Sequence, residues 1–267
     1  RNSARLSMSS TSVLLPLPDT PVTHTSKPSG ILTSMFFRLF SRHPTIFRAN
    51  LPAFLRFTGD LGWVPARENR SPVDKALERF VTRQMLGLAV RRFAADMPSD
   101  FTAAAMLCMK RRDDVDAVWA RGPRTLVHGD CHVGNLFFEA EQVGFLDWQV
   151  VNRAPAMRDV TYFLCLSCPT EVRREQERAL IALYLERLAQ EGVPAPPFDA
   201  AWEQYRRFAL YGWLAAAFTA AAGGGLQARE ISLAGLRRTT RAIVDLESVA
   251  AVEGELPGKG VRSLSCC

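Results

Sequence analysis

His128-Gly129-Asp130-Cys131-His132-Val133-Gly134-Asn135 is followed, after Leu136-Phe137-Phe138 and a polar Glu139-Ala140-Glu141-Gln142 stretch, by Val143-Gly144-Phe145-Leu146-Asp147-Trp148. Two short apolar runs around a polar turn predict a β-hairpin. The β-prone Thr125-Leu126-Val127 just upstream marks the point where the chain changes from helical to extended period. With the turn centred near Glu141, Leu136 lies opposite Leu146, and Asn135 faces Asp147 one step further out. Cross-strand neighbours stand about 5 Å apart, so an amide oxygen and a carboxylate converge at the open end of the hairpin.

Such an oxygen pair suits a hard cation that keeps several waters and completes its shell with phosphate oxygens, which points to magnesium with a nucleotide. Asp130 sits five residues before Asn135 in the loop feeding the same strand. It reaches the mouth of the site without being used as a metal ligand. A carboxylate beside a metal-bound phosphate orients an acceptor hydroxyl and takes its proton.

The spacing Asp-x-x-x-x-Asn, with His two residues before the Asp and a further Asp beyond a hairpin, is also that of a kinase catalytic loop. Residues 128–135 resemble the H-G-D-x-H-x-G-N loop of the aminoglycoside phosphotransferase and choline kinase-like superfamily, and Asp147-Trp148 resembles that group's metal-binding motif. The resemblance implies Asp130 as catalytic base, Asn135 and Asp147 as magnesium ligands, and ATP as phosphate donor. It implies His128 as a brace of the loop, and His132 as a second loop residue with no chemical step assigned. Arg158-Asp159-Val160-Thr161-Tyr162-Phe163-Leu164 resembles the helix that follows, whose Asp supports the loop, here Asp159. The strong similarity runs from about residue 124 to 165.

Outward from this segment the chain reads as helix. Ser71-Pro72 with Asp74 opens one that runs to Phe93, and others are expected at 101–110, 113–120, 159–167, 170–190, 199–222 and 229–251. The expected fold is mainly α with a small β component, a kinase-like C-terminal lobe over 35–252. A Ser/Thr/Pro-rich leader at 1–34 and a flexible tail at 253–267 flank it. The chain begins with Arg, which fits a fragment or a processed product.

A full member of the superfamily carries a β-rich nucleotide lobe with a phosphate-covering loop and a strand lysine. Nothing before residue 124 reads that way: Lys27 adjoins Pro28, and Lys75 and Lys110 fall in helices. Two expectations from different classes follow. One is an ATP-dependent phosphotransferase acting on a hydroxyl of a small molecule. The other is a truncated or pseudokinase-like helical module that binds a ligand or partner without catalysis.

Composition bounds the remaining classes. A net charge of +6 is spread through helices that also carry Asp and Glu, so a solvated basic surface is expected and no nucleic-acid partner. Six cysteines lack the spacing of a disulfide framework, which fits a reduced, cytoplasmic chain; Cys165 and Cys168, a C-x-x-C within an apolar run, read as buried thiols. His128 and His132 with Asp130 lack the helical setting and the intervening Glu of a zinc hydrolase, and no Gly-x-Ser-x-Gly occurs. The run 208–228 carries no charge, is rich in alanine and leads into three glycines at 223–225, so a buried helix is expected and no membrane span. The acceptor and the oligomeric state are not legible.

Overall fold

The computed structural model describes residues 64–66, 69–139 and 142–257. The leader expected at 1–34, the segment 35–63, Lys27 and most of the tail expected at 253–267 lie outside them. Three helices come first: α1 (Pro72–Phe93), α2 (Ser99–Lys110) and α3 (Arg112–Trp119). Four short strands follow: β1 (Thr125–Val127), β2 (Leu136–Glu139), β3 (Gln142–Phe145) and β4 (Asn152–Ala154). The chain then returns to helix in α4 (Met157–Ser167), α5 (Thr170–Gln190), α6 (Phe198–Ala222), α7 (Arg229–Asp245) and α8 (Ser248–Glu253). The protein is mainly α-helical, as expected.

Local chemistry sets the ends of these elements. α1 opens on a capping box: the Ser71 hydroxyl accepts the Asp74 N–H at 3.1 Å while the Asp74 carboxylate accepts the Ser71 N–H at 3.3 Å. Pro72 occupies the first turn, where its missing N–H costs nothing. The helix expected over 229–251 is two helices, because Leu246 leaves α7 and Glu247 takes a left-handed φ of 47° before α8 begins. The periodicity of apolar residues continues across this corner, which is why sequence alone joined the two.

α6 is the central element and packs against α4, α7 and α1. Its buried alanines, among them Ala209, Ala216, Ala217 and Ala220, let neighbouring backbones approach closely, while Trp213 fills the middle of the core edge-on to Phe101 at 5.3 Å. Truncating a buried indole of this kind costs roughly 3–5 kcal/mol. The helical part of the uncharged run that raised the membrane question is thus core, and no helix among the described residues is long and apolar enough to cross a membrane. A buried polar knot ties three helices: Arg173 of α5 bonds Glu177 and Asp245, and Tyr205 of α6 donates to Glu177 at 2.7 Å. The two arginines Arg173 and Arg174 hold the Asp245 carboxyl below its usual range against the opposing effect of burial.

The strands form two antiparallel pairs, β1 with β4 and β2 with β3. The β1–β4 pair, Leu126 opposite Arg153, was not expected; β4 is a three-residue run with no alternation to announce it. The hairpin was expected, yet its register differs. Glu139 pairs with Gln142, so Leu136 lies opposite Phe145, and Leu146 donates its N–H to the Asn135 carbonyl at 2.8 Å. The partner expected for Asn135, Asp147, is therefore corrected to Leu146. A two-residue connection closes the ribbon where a longer turn had been expected, and it shifts each partner by one.

Candidate functional site

Leaving β1, the chain turns through Gly129 at φ 89°. A Cβ there would lie 2.6 Å from the Val150 carbonyl oxygen, so only glycine lets the loop 128–135 pass under the segment after the hairpin. Asp159, in the first turn of α4, lies beneath this loop. Its two carboxylate oxygens accept the N–H groups of His128 at 2.6 Å and Gly129 at 3.1 Å. Burial raises the Asp159 carboxyl above its ordinary value, opposed by Arg158 and by these two N–H donors.

His128 is buried, its ring 5.0 Å from that of Phe145 and 4.7 Å from that of Trp148. Nδ1 accepts the Asp130 N–H at 3.2 Å, so Nε2 carries the proton and donates to the Leu146 carbonyl at 2.7 Å. This single ring fastens the loop to the end of the hairpin. The Cys131 thiol donates to the Asp159 carbonyl at 3.0 Å, and Ser167 at the far end of α4 accepts the Val133 N–H at 2.9 Å.

Asp130 is thereby presented at the surface with its side chain about one-third exposed. Oδ1 accepts the hydroxyl of Tyr162 at 2.6 Å. Oδ2 accepts the Asn135 amide N–H at 3.2 Å, and the same amide donates to the Asp130 carbonyl at 2.9 Å. His132 Nδ1 accepts the Gly134 N–H at 3.0 Å, and its Nε2 stands 3.7 Å from Asp130 Oδ2, close but outside hydrogen-bond range. Tyr162 is buried, which with the facing Asp130 pushes its hydroxyl well above the usual range and keeps it a neutral donor.

Asp147 is exposed, left-handed at φ 57°, and holds the start of a single 3-10 turn, Trp148–Val150. The Gln149 amide donates to its Oδ2 at 3.2 Å, and the Trp148 indole donates to the Phe145 carbonyl at 3.1 Å. The structure thus gathers His128, Asp130, His132, Asn135 and Asp159 around one loop. Asp147 follows Leu146, which that loop holds through both its N–H and its carbonyl.

Tyr162 had figured in the sequence only as part of an apolar run. Its spacing is the signal that could have found it: Asp159 and Tyr162 are i, i+3 on α4 and share the face turned to the loop. Cys165 and Cys168 are free and buried, each thiol pushed up to about 12 by burial, as expected for structural thiols. Among the described residues no group of three His, Cys, Asp or Glu side chains is arranged to hold a metal ion. That count leaves out amide oxygens. Asn135 spends its NH₂ on Asp130, so its Oδ1 is left without a hydrogen-bond partner among the described residues, as is one carboxylate oxygen of Asp147. A pair of hard oxygens fits magnesium rather than zinc.

A helical lobe with this loop, hairpin and supporting helix is of the protein-kinase-like kind. Residues 69–192 match the ecdysteroid kinase-like family, within the superfamily that includes choline kinase. The resemblance drawn from residues 128–165 is borne out, and the matched segment contains the loop, the hairpin, Asp147 and Asp159. No curated protein and no solved structure matches the chain.

Proposed function

We propose that this chain is the catalytic lobe of an ATP-dependent phosphotransferase that moves the γ-phosphate to a hydroxyl of a small molecule. One observation carries the reading: Asp130 is held at the surface by Tyr162 and Asn135, neither of which covers its remaining lone pairs. In this role Asp130 Oδ2 receives the hydrogen bond of an incoming hydroxyl, aligns its oxygen, and accepts the proton as the oxygen–phosphorus bond forms. His128 and Asp159 keep the loop in place, and His132 takes no proton. Asn135 Oδ1 and Asp147 would hold magnesium, which when bound neutralises phosphate charge and orients the donor.

The name of the matched family makes hydroxylated steroids the first acceptors to try. Free cysteines suit the reducing cytoplasm as the place of action. Thermal shift with ATP, with and without magnesium, tests the reading at its base. A magnesium-dependent rise is expected, and its absence in a folded chain would favour the non-catalytic module. Where transfer is measured, Asp130→Ala is expected to lower turnover by roughly 10²–10⁴-fold. Equal turnover by the variant and the parent would remove Asp130 from the chemistry.

A further inference from the structure

A cavity of about 300 Å³ opens between the start of α1, the helix α3 and the β4–α4 corner, and Asp130 is not in its wall. Its apolar side is made by Trp119, Phe208 and Tyr211, with Ala117, Ala120 and Ala154 leaving room between them. Tyr211 in its wall packs on Tyr162 with ring centroids 6.0 Å apart, and it is Tyr162, outside the wall, whose hydroxyl reaches Asp130. An occupant is therefore separate from any acceptor delivered to that carboxylate, and the inference stands whether or not the chain transfers phosphate.

Charge decides the class of occupant. Three acids line the cavity, and each already has a cationic partner: Glu78 meets Arg70 at 2.5 Å and Arg112 at 2.9 Å, Asp116 meets Arg112 at 3.0 Å, and Asp113 meets Arg79 at 2.8 Å. Lys75 also lines it and has no acidic partner among the described residues. Arg158 of α4 lies flat on the Tyr211 ring at 4.2 Å and is 6% exposed. Its terminal nitrogens reach Asn152 and Tyr211, both neutral, and its Nε is buried with no hydrogen-bond partner among the described residues. The hydrogen-bond partners of this buried guanidinium are both uncharged, and among the described residues only the nearby Asp159 carboxyl answers its charge through space, so an anion in the cavity would supply the hydrogen-bonded counter-charge it lacks.

We propose that this cavity binds a small amphipathic anion, a carboxylate or sulfonate on a flat apolar body, with the anionic group toward Lys75 and Arg158 and the body against Trp119 and Phe208. Because Arg158 also holds Asn152 and adjoins Asp159, an occupant touches the layer that supports the 128–135 loop.

Anilinonaphthalene sulfonate is a suitable probe, titrated by fluorescence and by calorimetry, with uncharged phenylnaphthylamine as its neutral counterpart. Saturable binding at one site per chain is expected, weakened by salt, and about tenfold tighter than for the neutral compound. Lys75→Glu should weaken the sulfonate about tenfold. Ala117→Trp, on the exposed side of α3, should close the mouth and abolish binding. Leu77→Ser, which removes an exposed apolar side chain of α1 outside the cavity, and Asp130→Asn should leave it unchanged. Circular dichroism confirms that each variant folds, and if Ala117→Trp does not, Lys75→Glu carries the test. Absence of saturable binding, equal affinity for the neutral probe, equal affinity of Lys75→Glu and the parent, or a loss that follows Leu77→Ser would overturn the proposal.

Discussion

Loop 128–135 and segment 146–150 leave the same hairpin from opposite strands, and they are held in different ways. The loop is fixed from below by Asp159, Ser167 and Tyr162 on a single buried helix, and most of its polar groups end on protein atoms. Segment 146–150 is exposed throughout, turns left-handed at its second residue, Asp147, and is steadied mainly by His128 and Trp148. The lesson is a division of labour. In the role proposed for Asp130 a base must stand ready at a fixed position, and preorganised hydrogen bonds supply that. In the role proposed for Asp147 an oxygen that joins a hydrated cation would work with fewer constraints, because the ion itself would fix the geometry.

Substitutions at four positions sharpen or break this contrast. The largest effect is expected at the exposed side: Asp147→Asn should raise the magnesium concentration for half-maximal nucleotide binding by on the order of 100-fold, with little change in melting temperature. If this variant melts early instead, the exposed segment is as structural as the loop and the contrast fails. Gly129→Ala should act on the buried side, where a left-handed alanine and a collision with the Val150 carbonyl together cost about 3 kcal/mol in urea unfolding.

Asp159 adds a pH signature. Its carboxyl is raised in the folded protein above the ordinary 3.8, so the fold favours the protonated form. The resulting stability is fully present below about pH 3.8 and is lost as pH rises through the folded value, since the native state holds more protons across that window. Asp159→Asn, permanently uncharged, should lose this slope and cost less at neutral pH than Asp159→Ala, which leaves two buried N–H groups unpaired at about 1–3 kcal/mol each. Parallel unfolding curves of parent and Asp159→Asn across acid pH would sink the assignment. The smallest effect belongs to Tyr162→Phe. Loss of one hydrogen bond of about 1 kcal/mol to Asp130 should lower turnover roughly fivefold, with KM for the acceptor nearly unchanged.

Much of this was readable in residue order. The capping box at Ser71 and Asp74, the extents of α1 and α5, the hairpin and the Asp130-to-Asn135 spacing are local, set by caps, periods and turns. The hairpin register was not, because a turn that is one residue shorter changes every partner while leaving the apolar pattern equally satisfied. β4, the break at Glu247 and Tyr162 were also hidden, since each depends on a neighbour distant in the chain.

By itself the sequence determined a helical kinase-like lobe and brought out the polar residues of the 128–135 loop, because motif chemistry and periodicity are short-range. Folding alone decided which of those residues is buried and which faces water. His128 and Asp130 are two positions apart, yet one ring is packed under Trp148 and the other side chain is offered to solvent. That difference arises from α4 passing beneath the loop, a long-range contact that no spacing encodes. The same contact places Arg158 beside a cavity whose walls come from α1, α3, β4, α4 and α6, elements that only meet when the chain is folded.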